Sequence, residues 1–193
     1  MRRLGTPVTV NPPLRRSGRQ IEFLYAVLDA ARSPEILPWL KELPDGWMSL
    51  YRGEPADSLA DVAPYIIQLD PAGEPLRHII DKGIGDSWGI LLTSPEPIET
   101  VHRHFRKFLM VKDEEERTLY FRFYDPRVLR IFLPTCTPEE AREFFGPISR
   151  FYIEESEEKL CVFSFHSSGA VKEKNHIDKP ALARALQNAV VAG

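Results

Sequence analysis

Cysteine is scarce in this sequence of 193 residues, with Cys136 and Cys161 the only two. They form neither a disulfide framework nor a metal-binding spacing, and both read as reduced thiols. An excess of one charge is also missing. Lys and Arg number 25 against 28 Asp and Glu, a formal net charge of −3. That balance excludes a surface adapted throughout to nucleic acid or anionic lipid and leaves room only for a local basic patch. No run of about eighteen apolar residues occurs, so no segment reads as a membrane span. Arg2 and Arg3 open the chain, but prolines at 7, 12 and 13 interrupt the segment behind them and no apolar core of a signal peptide appears. The expectation is a soluble, cytoplasmic protein. Internal repeats and low-complexity segments are absent as well.

The patterns that carry chemistry are equally thin. There is no G-x-x-x-x-G-K-[ST] loop and no G-x-G-x-x-G after a strand, and Gly83-Ile84-Gly85 reads as a turn. His102 and His104 are two apart on a helix, so they face away from each other and cannot grip one ion. His78, His166 and His176 join no motif with them. No G-x-S-x-G elbow is present, and the surroundings of the two cysteines match no thiol-enzyme signature. Glu139/Glu140 reads as a helix first turn and Glu154/Glu155 as a solvated loop. The expectation is a protein that is not an enzyme and has no metal or cofactor, which turns attention to protein partners.

What is present is a soluble core-former, 43% hydrophobic, with clear local signals. The most distinctive stretch is LYFRFYDPRVLRIFLP at 119–134. Its first six residues alternate with bulky groups on both faces, the pattern of a central strand. Asp125-Pro126 then starts a helix, the carboxylate capping free N–H groups and the proline suiting the first turn. Strands are also predicted at 21–28, 47–51, 65–69, 88–93, 149–153 and 160–166, and helices from 33, at 75–82 and at 97–109. A further helix opens at Thr137 with a capping box to Glu140. Leu182, Leu186, Ala189 and Val190 fall at helical spacing near the C-terminus, on a helix either docked on the body or held out for a partner. The alternation of elements gives an α/β (α+β) fold, a mixed β-sheet flanked by helices, with room for a smaller C-terminal helical lobe. The expected organisation is a flexible lead-in over 1–19, an α/β domain over 20–169, and a linker with C-terminal helix over 170–193.

Five motifs in order carry a resemblance: YAVLDAA at 25–31, SLYRG at 49–53, LADVAPYIIQL at 59–69, HRHFRKFLMV at 102–111 and FRFYDPRVLRIFLP at 121–134. Together they resemble the bacterial type VI secretion chaperones, adaptors that attach toxic effectors to the VgrG spike. The resemblance implies a cytoplasmic, non-enzymatic adaptor that binds a cognate effector, keeps it soluble and hands it to the spike. It covers about 21–153 and is silent on the rest, which in that family varies. Such a role needs a groove with apolar contacts and a few anchoring charges. Arg122, Asp125 and Arg127 are placed at its edge, with Arg106 nearby. The competing structural reading makes Arg122 and Asp125 a buried pair fixing the strand-to-helix corner. A second functional reading uses Tyr120, Arg122 and Tyr124 as one strand face that binds nucleic acid or a small ligand.

Overall fold

Strand β1 (Phe23–Asp29) is apolar along nearly its whole length because both of its faces are covered. In the computed structural model, which describes residues 21–52, 58–112, 115–166, 168–173 and 176–192, it lies inside the main sheet with a paired strand on each side. The proline- and arginine-rich stretch 1–19 lies outside the described residues. Leu24, Ala26 and Leu28 enter one core, whereas Tyr25 and Val27 enter the other. This is the two-residue period of a strand expressed as two hydrophobic layers.

The sheet runs β10-β8-β7-β4-β1-β3-β2, with β9 also paired to β8. Its other strands are β2 (Trp47–Ser49), β3 (Pro64–Leu69), β4 (Gly89–Ser94), β7 (Arg150–Ser156), β8 (Lys159–His166), β9 (Gly169–Lys172) and β10 (Ile177–Asp178). The α/β class expected from the alternation of elements is the one observed, a sheet flanked by helices. Its strand pairings among the described residues are all antiparallel. One face carries α1 (Ile36–Glu42), α2 (Glu74–His78, continued by a π-turn over Ile79–Gly83) and α6 (Lys179–Ala192). The other carries α3 (Ile98–Phe105), α4 (Pro126–Phe132) and α5 (Pro138–Phe145). Among the described residues no helix is long and apolar enough to cross a membrane.

The signature stretch departs from its predicted form. Only β6 (Thr118–Tyr120) is extended, and it pairs with β5 (Met110–Lys112) in a separate two-stranded ribbon whose β6 residues are all exposed. It is not a central strand. From Phe121 the aromatic side chains pack on helices instead: Phe123 stacks on Phe105, with ring centroids 4.9 Å apart, and Phe121 meets Phe132 edge-on at 4.7 Å. A short apolar run does not by itself distinguish packing against a sheet from packing against helices. Asp125 caps α4 as expected, accepting from the Arg127 amide, and Thr137 and Glu140 form the reciprocal capping box of α5.

Two further expectations are corrected. The acidic stretch at 154–155 is not a solvated loop, because β7 runs through it and Glu154 is 9% exposed. Its carboxylate accepts from the amides of Gly85 and Ser87 and from the Ser87 hydroxyl, at 2.9, 3.1 and 3.0 Å. The polar segment after 169 contributes β9 and β10 to the sheet, and Leu182 and Leu186 of α6 are fully buried, so the C-terminal helix is docked.

Candidate partner-binding groove

At the β2 end of the sheet, four segments distant in sequence enclose two adjoining clefts. They are the chain leaving β2, the 3-10 turn Ala60–Val62, the C-terminal end of α3 and the β5–β6 ribbon. One cleft, of about 190 Å³, has Leu50, Arg52, Arg106 and Met110 in its walls. The other, of about 300 Å³, has Asp29, Val62, Arg122 and Tyr124. Tyr51, Leu59 and Tyr120 line both, so the two form one continuous groove. Large apolar side chains are left in water here: Leu59, Val62, Met110 and Tyr120 are all more than 40% exposed. Leu119, on the same ribbon, is exposed too. An apolar patch gathered in a concavity marks an interaction site in a way that scattered surface residues do not.

The charged walls are built from the fold upward. Arg106 follows α3 directly, and its Nε donates to the Leu50 carbonyl at 3.1 Å. One turn earlier on that helix, His102 Nε2 donates to the Ser49 carbonyl at 2.8 Å. A carbonyl can only accept, so the proton sits on Nε2. Among the described residues no carboxylate pairs with Arg106 or with the exposed Arg52. Arg122 pairs instead with Asp29, the last residue of β1, which is 1% exposed. The bond to Asp29 pushes the Arg122 guanidinium further up, against the opposing effect of burial. Asp29 also accepts from the Ala31 amide at 3.1 Å. Burial raises the phenols of Tyr51 and Tyr124.

Arg122 and Asp125 are therefore not the corner pair considered from the sequence. Both Asp125 oxygens are taken locally: Oδ1 accepts from the Arg127 amide and Nε at 3.0 and 2.9 Å, and Oδ2 from Arg127 Nη2 at 2.6 Å. Burial raises the Asp125 carboxyl, but the bonds from Arg127 outweigh it and hold the group below its ordinary range. Asp125 and Arg127 line a separate apolar cleft with Phe121, Val128, Ile131 and Phe132. Of the four residues singled out in the sequence, the structure brings Arg106 and Arg122 to one groove and leaves Asp125 and Arg127 at another. Tyr120, Arg122 and Tyr124 share a cleft without forming a strand face, since Tyr120 is 65% exposed and Tyr124 is buried.

Sequence reasoning passed over Tyr51, Leu59, Val62 and Met110. Single apolar residues next to turns give no signal until the turns meet in space. The two helical histidines do face apart: His104 Nε2 donates to the Phe144 carbonyl at 2.8 Å, whereas His102 bonds Ser49, and burial lowers the His104 pKa. Burial pushes the Cys136 thiol up to about 11, which leaves it unreactive at neutral pH. Among the described residues no three His, Cys, Asp or Glu side chains are grouped to hold a metal ion.

No curated protein and no solved structure matches the chain. Residues 24–143, which include every wall of the groove, match the family described as a domain of unknown function, DUF4123, and the chain belongs to that family.

Proposed function

We propose that the protein is a non-enzymatic chaperone and adaptor that binds a cognate type VI secretion effector and promotes its loading onto the VgrG spike. The observation that carries this reading is the groove, in which exposed Leu59, Val62, Met110 and Tyr120 lie between Arg106 and Arg122. A carrier needs apolar surface to hold a segment of its cargo and a few charges to orient it. Covering such a segment keeps the cargo from aggregating before it is handed on. The order of the five sequence motifs supports the same role, and all of them lie within the span matched to the family. The portion after residue 143 lies outside the matched span and supplies β7 to β10 and α6, and this is where selectivity for one effector would reside. The adaptor acts in the cytoplasm, where effector and spike are assembled.

The test is to tag the full chain in its native bacterium, capture it at moderate salt, and identify what comes with it. Recovery of a toxin together with a VgrG protein supports the adaptor. Recovery of neither, in cells that produce both, overturns it.

A second reading rests on Tyr51, Tyr120 and Arg122 sharing a cleft, since tyrosines and an arginine can stack on unpaired bases. The Asp29 carboxylate that occupies Arg122 opposes a phosphate there. That reading requires salt-dependent binding of a single-stranded oligonucleotide, and no mobility shift at low salt removes it.

A further inference from the structure

The charge lining the groove runs against that of the whole chain. The protein carries a formal net charge of −3, yet Arg52, Arg106 and Arg122 face the groove with Asp29 as the only acid among its described lining residues. Asp29 is buried and already engaged by Arg122. Arg106 spends its Nε on the Leu50 carbonyl, which fixes the guanidinium plane and leaves the two terminal nitrogens for an acceptor. Arg52 is exposed beside it. Between these cations the wall is aliphatic and aromatic, which suits the apolar side chains of a peptide segment.

Building on the adaptor reading, we infer that the groove takes a short acidic and apolar segment of the effector. Its large apolar side chains seat against Leu59, Val62, Met110 and Tyr120, and its carboxylates pair with Arg52 and Arg106. A planar guanidinium held by one backbone bond is preorganised to grip a carboxylate with both free nitrogens. The aliphatic walls exclude water from that pair and strengthen it. A neutral apolar segment would leave Arg106 under-satisfied beside a dry wall, and a basic one would be repelled.

The experiment uses the full chain in cells that make effector and spike. The photo-crosslinker p-benzoylphenylalanine replaces Tyr120 in the groove or, as a control, Ile131, which is 70% exposed on the other cleft. Expected is an effector crosslink from Tyr120 and not from Ile131, on a segment rich in Asp or Glu and large apolar residues. Charge reversal by Arg52→Glu or Arg106→Glu should weaken capture at least about tenfold, and reversing a carboxylate of the crosslinked segment to lysine should restore it. Arg52 makes no ion pair with a carboxylate among the described residues, so that variant remains informative if Arg106→Glu disturbs the β2 edge. A crosslink to a neutral or basic segment, to nucleic acid or to a second copy of this chain overturns the inference, as does undiminished capture by the Arg52→Glu variant. If the wild type captures effector and spike but Tyr120 yields no effector crosslink, the groove assignment fails and the adaptor reading stands. If the wild type captures neither, both fail.

Discussion

Removing the Arg122 side chain should cost the protein stability through a residue 93 positions away. Asp29 is 1% exposed and has two acceptor bonds, from Arg122 and from the Ala31 amide. In Arg122→Ala the carboxylate keeps only the second. Stripping one partner from a fully buried ion pair costs about 3–5 kcal/mol, whereas a surface pair is worth well under about 1 kcal/mol. The Arg122 side chain is 45% exposed, so water can reach the vacated place and the larger figure must be discounted. An expected loss of about 2 kcal/mol corresponds to a drop in Tm of roughly 4–8 °C for a chain of this size. Urea titration of the wild type, Arg122→Ala, Asp29→Asn and the double variant measures the pair directly. The double variant should be more stable than the sum of the single losses by about 1 kcal/mol or more, because neither charge is then left alone. An Arg122→Ala protein as stable as the wild type, or four stabilities that add without coupling, would refute the assignment of Asp29 as a buried acid dependent on Arg122.

Gly89→Ala should fail to accumulate as folded protein, since a Cβ there would lie 2.0 Å from the Val27 carbonyl oxygen of the neighbouring strand. Main chain cannot yield as a flexible side chain can, and a loss of at least about 3 kcal/mol is expected, read by soluble yield and thermal melting. Glu154→Ala should release the 83–88 turn, where Ser87 is held at φ 54° by two bonds to that carboxylate. The expected loss is about 3 kcal/mol, with faster amide exchange at Gly85 and Ser87 as the specific readout. Acid should destabilise the fold in two stages. His104 has a folded pKa below its usual 6.5, so its contribution is full above that value and is lost as pH falls through the folded pKa. Asp125 is held below its usual 3.8, so its contribution is lost only at lower pH still. Urea midpoints in His104→Gln should decline less than in the wild type across the first stage, and an identical decline would refute the role of His104.

The parts of this fold that were legible in the sequence are those fixed within a few residues. Asp125-Pro126 and Thr137-Pro138 announce helix starts because a cap is satisfied by amides two or three positions on. The β1 run reads as a buried strand because both faces must be apolar. The stretch at 119–124 misled for a physical reason: its aromatic rings find helices, so an alternation suited to a sheet ends as a ribbon and a turn. Polar residues at 154–155 concealed a buried strand because Glu154 is satisfied by amides some seventy positions earlier. The groove was half visible. Arg106 and Arg122 were singled out by charge in an aromatic setting, while Asp125 and Arg127 proved to satisfy each other. Leu59, Val62 and Met110 matter only through where the chain places them, which local periodicity does not encode.

The bonds from His102 and Arg106 to the carbonyls of Ser49 and Leu50 have a consequence beyond holding α3 in place. β2 ends the sheet on this side, and an open rim of main-chain groups is a template on which another chain can polymerise. Here the acceptors at its exit are already occupied by side chains of the same molecule. Two main-chain acceptors beside the groove are thus withdrawn from an added strand, and what the groove offers a partner is its side chains.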